Sequence, residues 1–101
     1  EMGRLPVLQN DVGREKCGRD HNTYGFSMWL AGGGIKRGYV HGETDEWGHH
    51  AVKDIVHHYD YHATLLHLFG LDHAALTYQR NGIEMSLTDG QGGRVIPELL
   101  A

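Results

Sequence analysis

The amino-acid sequence predicts an α+β chain with a few short strands, one clear helix and one β-hairpin. Residues 60–70 place apolar side chains at helical spacing and end in glycine, which is typical of a helix. Residues 77–87 place Asn81-Gly82 between two runs of strand character, which is typical of a tight hairpin. The chain has 101 residues, and its first residues read as a loop with no strand before them. We therefore expect residues 1–101 to form a single partial domain.

The first third of the chain carries one strong strand signal. Residues 1–22 are punctuated by glycine, proline and asparagine and are predicted to be loop. Residues 24–31 are aromatic and apolar and end at three glycines, so we expect a buried strand there. Gly25 inside this segment indicates a close approach of another backbone. Residues 35–42 are predicted to form a second short extended segment.

The middle of the chain contains the predicted helix. Residues 43–48 read as a polar turn, and residues 51–58 fit the period of either a helix or a strand. Asp60 is expected at the N-cap, where a carboxylate accepts hydrogen bonds from the first free N–H groups. Gly70 is expected to end the helix in the left-handed conformation. The apolar stripe expected to form core consists of Tyr61, Leu65, Leu66, Leu68 and Phe69.

The last third of the chain is predicted to contain short elements joined by turns. Residues 72–76 are expected to form another short helix. In the hairpin, Ile83, Met85 and Leu87 alternate with polar residues and give one apolar face. Residues 89–93 read as a turn and residues 94–96 as a last short strand, after which Pro97 starts a terminal helical turn.

Composition excludes several classes of protein. The net charge is −4 with only 9 Lys and Arg residues, which are scattered, so no basic surface for nucleic acid is expected. No apolar run approaches the roughly 20 residues that a membrane-spanning helix needs. Cys17 is the only cysteine, so neither an internal disulfide nor a zinc–thiolate cluster can form. The first residues lack the pattern of a signal peptide, and we expect a soluble protein whose compartment the sequence leaves open.

Histidine is the residue type that points to chemistry, with 9 in the chain. His21 follows Asp20 in a predicted loop beside a predicted strand, where a neutral imidazole can bind a divalent metal such as zinc. His58 and His62 are four residues apart and would share a helix face. Asp60 as the N-cap places His58 outside the helix, so we favour surface positions for both.

Six ordered segments with a recognisable pattern are spread along nearly the whole chain. They include Gly18-Arg19-Asp20-His21-Asn22 and the glycine-rich run that follows the predicted strand. The six are Glu1-Met2-Gly3-Arg4-Leu5-Pro6, Gly18-Arg19-Asp20-His21-Asn22, Ala31-Gly32-Gly33-Gly34-Ile35-Lys36-Arg37-Gly38, Gly42-Glu43-Thr44-Asp45, Asp60-Tyr61-His62-Ala63-Thr64-Leu65-Leu66-His67 with Leu71-Asp72-His73, and Leu87-Thr88-Asp89 with Gly93 and Val95-Ile96. Together these segments resemble the C-terminal part of a bacterial family of unknown function that is related to sulfatases.

This resemblance implies the C-terminal portion of an α/β sandwich like that of alkaline phosphatases. Members of that superfamily hydrolyse phosphate or sulfate esters with one or two divalent metals. His21 matches a late metal ligand of the superfamily. Arg19 and Arg4 would lie near an anionic group, and Asp20 and Glu1 near the metal. The nucleophile and the other ligands of the superfamily precede the matched part.

Two functions therefore follow as hypotheses. In the first, the chain contributes to a metal-dependent sulfatase- or phosphatase-like hydrolase and is inactive alone. In the second, it is a non-catalytic module that assembles with itself or with a missing N-terminal portion, because open strand edges and bare apolar faces favour association.

Overall fold

The computed structural model describes residues 2–10 and 13–101 and divides the chain into two compact units. Unit 1 comprises Glu1–Leu30 and Val40–Ile55, and unit 2 comprises Ala31–Tyr39 and Val56–Ala101. The described residues form one α-helix, one terminal 3₁₀ turn and three antiparallel pairs of short strands. This mixture confirms the predicted α+β fold.

Unit 1 is built from two strand pairs. Strand β1 (Gly3–Arg4) pairs with β2 (His21–Asn22), and β3 (Glu43–Thr44) pairs with β4 (Ala51–Lys53). Backbone hydrogen bonds continue the first pair beyond its strands, since the Leu5 N–H donates to the Asp20 carbonyl at 2.8 Å. The prediction of loop throughout residues 1–22 is therefore wrong at β1 and β2.

The predicted buried strand over residues 24–31 is also wrong. These residues belong to no strand, and most of their large apolar side chains are exposed, Trp29 to 86%, whereas Leu30 is half-buried. A strand needs a neighbouring backbone along its length, and the described residues supply one only at Tyr24, whose carbonyl accepts from the Ala51 N–H at 2.8 Å. The close approach predicted at Gly25 is confirmed, because a Cβ there would lie 2.7 Å from the Ala51 nitrogen.

The second extended segment, residues 35–42, is not a strand either. Ile35 alone forms a bridge, to Leu100, and the backbone then turns. The turn uses Gly38, whose φ of 62° lies in the left-handed region that glycine adopts without strain.

Unit 2 contains helix α1 (His58–Leu68), which begins earlier than predicted. His57 is the N-cap, and Asp60 occupies the third helical position, from which its Oδ2 accepts the His57 N–H at 3.0 Å. The Asp60 carboxylate therefore bonds to the N-cap residue from within the first turn of the helix, and Asp60 is not itself the N-cap. Gly70 confirms the predicted left-handed end, with φ 76°. Its N–H donates to the His67 carbonyl, and that of Leu71 to the Leu66 carbonyl, a Schellman motif.

The face of α1 that is buried differs from the predicted leucine stripe. Its buried residues are Asp60, Ala63 and Thr64, whereas Phe69 is 80% exposed. This narrow face packs against residues 94–96, which were predicted as a strand and instead lie along the helix. Ile96, fully buried, completes the core of the unit.

The predicted hairpin is confirmed as β5 (Thr77–Arg80) and β6 (Ile83–Ser86). Asn81 and Gly82 both have positive φ, 52° and 77°, as a type I′ turn requires. The apolar face is largely uncovered, with Ile83 64% exposed.

The connections on either side of the hairpin are simpler than predicted. Residues 72–76 form one turn instead of a short helix, closed by the Leu76 N–H donating to the Asp72 carbonyl at 3.0 Å. The terminal turn starts at Pro97 as expected and spans Pro97–Leu99.

Candidate metal and anion site

The pairing of β1 with β2 brings together four of the residues that the sequence nominated. Arg4 and His21 are direct partners across the strand pair, although 16 other residues separate them along the chain. The Arg4 Nη1 donates to the Arg19 carbonyl at 3.1 Å, which fixes the Arg4 guanidinium beside the Arg19–Asp20–His21 backbone. The Arg19 side chain makes no hydrogen bond or ion pair with any described residue, so its guanidinium faces solvent. Glu1, which the sequence also nominated near the metal, lies outside the described residues.

His21 is exposed and its ring is available to a ligand. Within the part of the chain that the structure describes, the ring forms no hydrogen bond. The Asp20 carboxylate does not orient it, because Asp20 Oδ1 accepts the backbone N–H of His21 at 2.7 Å. The corner formed by Arg4, Arg19, Asp20 and His21 thus presents an imidazole that bonds to no described residue, with Arg4 as its partner across the strand pair.

Asn22 holds this corner in place, and sequence reasoning did not single it out. Its side chain is fully buried. Its Nδ2 donates to the carbonyls of Gly25 at 3.0 Å, His49 at 2.9 Å and Gly48 at 3.4 Å, while its Oδ1 accepts the Tyr24 N–H at 3.0 Å. The residue directly after His21 is therefore tied to a loop 26 residues away in the chain.

Asp45 organises that loop. Its Oδ1 accepts the N–H groups of His49 at 2.8 Å and Trp47 at 3.2 Å, and its Oδ2 accepts that of His50 at 3.0 Å. These bonds lower the pKa of Asp45 below its usual value, because each favours the ionised carboxylate. The bond from the His49 N–H has the largest effect. The rings of Tyr24, His49 and His50 pack together beside it, with centroids 4.1 to 5.4 Å apart.

Replacing Asp45 with asparagine should destabilise the chain in a pH-dependent way. Because the folded-state pKa is lowered, the ionised carboxylate contributes stability above the ordinary Asp pKa of 3.8, and this contribution is lost as the pH falls through the lowered value. Urea unfolding between pH 3 and pH 7 should therefore show a difference between wild type and Asp45→Asn that is constant near neutrality and shrinks in acid. Glu46→Gln, an exposed acid of the same loop, is the control. A difference that does not change with pH would contradict the assignment.

The histidines of α1 were the weaker metal candidates. Both His58 and His62 lie on the helix, so the prediction that His58 falls outside it is wrong. Both are exposed as favoured, and each ring lies against a neighbouring tyrosine, His58 against Tyr59 at 3.8 Å and His62 against Tyr61 at 5.4 Å between centroids. Within residues 2–10 and 13–101, no three His, Cys, Asp or Glu side chains are arranged to hold a metal ion.

Comparison with known families adds one finding. The family described as "Protein of unknown function (DUF1501)" matches residues 1–100. The chain belongs to the DUF1501 family. No curated protein and no solved structure matches the chain. None of the helices in the described part of this DUF1501 chain has the length and apolar character needed to cross a membrane.

Among the described residues of the DUF1501 chain, the groups around His21 do not make up a complete set of metal ligands. The His21 ring bonds to no described residue, whereas one oxygen of the adjacent Asp20 carboxylate, Oδ1, already accepts the His21 backbone N–H. Two open cavities of about 250 and 400 Å³ lie in unit 2 and are lined by none of the nominated residues. Asp60 lines the smaller cavity, but both its oxygens already accept backbone N–H groups.

Proposed function

We propose that this DUF1501 chain contributes one metal ligand, His21, and an anion-binding pair, Arg4 and Arg19, to a sulfatase- or phosphatase-like ester hydrolase. The proposal is supported above all by the β1–β2 pairing, which places Arg4 beside His21 from distant parts of the sequence. The reaction class, hydrolysis of phosphate or sulfate esters, is taken from the sulfatase-related family that the sequence resembles.

The chemistry of the corner suits an ester of phosphate or sulfate. A guanidinium binds two oxygens of such a group at once through its planar fork. Arg4 is held by its bond to the Arg19 carbonyl and keeps other N–H groups for an anion, while Arg19 is exposed. A divalent metal bound with further ligands would polarise an ester oxygen. His21 alone cannot hold such a metal and also supply a nucleophile, so the chain by itself should be inactive.

Zinc titration monitored by NMR of the histidine ring nitrogens tests the ligand role. We expect the His21 signals to shift at lower zinc concentration than those of His67, an exposed histidine of α1 that serves as internal control. Added sulfate should shift the side-chain Nε–Hε signals of Arg4 and Arg19. His21 signals that respond no earlier than those of His67 would contradict the ligand role. Turnover of chromogenic phosphate or sulfate esters by the purified chain would contradict the claim that it supplies only part of a site.

A second candidate function, self-association, is favoured by the exposed surface. Much of the exposed surface is apolar, including Met28, Trp29 and Trp47. A monomer in sedimentation at high concentration would rule this function out.

A further inference from the structure

Residues 26–31, of which 26–30 end the first stretch of unit 1 and Ala31 begins unit 2, have a backbone with no partner among the residues that the structure describes. None of their six N–H groups or six carbonyls forms a hydrogen bond with residues 2–10 or 13–101. No helix, turn or bend interrupts the backbone from Gly25 to Ala31. An unpaired row of donors and acceptors of this kind is the template to which another strand adds.

The side chains of this segment favour pairing and do nothing to prevent it. Phe26, Met28 and Trp29 are 44%, 56% and 86% exposed. From Asn22 to Ile35 the chain has no charged residue and no proline, which are the usual protections of an open strand edge. Uncharged sequences of high strand propensity without proline are also those that pair most readily with copies of themselves.

We infer that a second copy of this chain adds to residues 26–31 as an antiparallel strand, so that the segment forms the centre of a symmetric dimer. This inference rests on the proposed self-association and names its surface. Antiparallel pairing of a segment with itself is self-complementary, since each residue offers both a donor and an acceptor. Six residues from each copy would form about six backbone hydrogen bonds. The lack of charge removes the like-charge repulsion that a strand carrying charges meets when it pairs with its own copy.

Met28→Pro tests the inference, because proline removes a ladder donor and blocks a neighbouring strand. The Met28 N–H bonds to no described residue, so the fold of the monomer should survive. Val40→Pro is the matched control, since Val40 is also apolar, 85% exposed and without a hydrogen bond to any described residue. Sedimentation should show that the dimer Kd rises roughly 100-fold in Met28→Pro, since both copies lose a bond. Val40→Pro should leave the Kd unchanged.

Hydrogen exchange gives a second, residue-level measurement. In wild type, amides 26–31 should exchange roughly tenfold more slowly at high than at low protein concentration, because only the dimer bonds them. A dimer that persists in Met28→Pro with these amides unprotected would overturn the strand surface and leave self-association standing. A wild-type chain that remains monomeric would overturn both. A Val40→Pro chain that dissociates equally would show that proline acts through the fold, which also overturns the assignment.

Discussion

Asp60→Ala should lower the free energy of unfolding by about 4 kcal/mol, since hydrogen bonds to a charged group contribute roughly 1.5–3 kcal/mol each. Asp60 makes two of them from a buried position. Its Oδ2 accepts the His57 N–H at the start of α1, and its Oδ1 accepts the Arg94 N–H at 2.9 Å. Asp60→Ala therefore removes the hydrogen-bond acceptor of the His57 N–H at the helix start and that of the Arg94 N–H in the segment packed along the helix.

Urea unfolding followed by circular dichroism measures this loss. Asp60→Asn keeps one acceptor oxygen and should lose about half as much. Glu98→Ala, an exposed acid in the terminal turn, should change the free energy by no more than about 0.5 kcal/mol. The amides of His57 and Arg94 should also exchange faster in Asp60→Ala. A loss below about 1 kcal/mol would mean that water replaces the carboxylate at little cost.

Asn22→Ala should cost about 3 kcal/mol, because three backbone carbonyls lose their donor in the interior of unit 1. Asn22→Asp should be at least as damaging. It keeps the acceptor for the Tyr24 N–H but directs a carboxylate oxygen at the same carbonyls. If Asn22→Asp is at least as unstable as Asn22→Ala, the fold requires the amide donor of Asn22 and not only its side-chain volume, because aspartate and asparagine have nearly the same volume.

Thermal and urea unfolding of both variants check the prediction, with Asn10→Ala as the control because Asn10 is exposed. The NMR signals of the His21 ring should shift in Asn22→Ala even without metal, because the strand next to His21 loses its anchor. If Asn22→Asp proves as stable as wild type, the donor bonds do not hold the site.

The features that the sequence predicted correctly are those whose cause is local. The Asn81-Gly82 turn and the Gly70 helix end each depend on the left-handed backbone that these residue types adopt, so a few neighbouring residues suffice. The position of Asp60 was wrong by three residues because aspartate serves both the N-cap and the third helical position. The strand over residues 24–31 failed because composition gives strand propensity but does not supply the partner strand.

The candidate site shows the same limit. His21, Asp20 and Arg19 are adjacent in sequence, so their grouping required no knowledge of the fold. The placement of Arg4 opposite His21 depends on a strand pairing that no short-range pattern indicates. Asn22 and Asp45 bind backbone N–H and carbonyl groups, which nearly every residue possesses, so residue identity could not reveal their partners.

The small apolar core has a consequence for how the chain responds to temperature. The buried side chains among the described residues are the apolar Ala63 and Ile96 and the polar Asn22, Asp60, Thr64 and Thr88. Exposure of apolar surface raises the heat capacity of the unfolded state, and exposure of polar surface lowers it. A chain with only two fully buried apolar side chains among its described residues should have a heat-capacity change below the usual value of about 12–15 cal/mol/K per residue. Its stability curve is accordingly shallow, so cooling and moderate warming change its folded population by similarly small amounts.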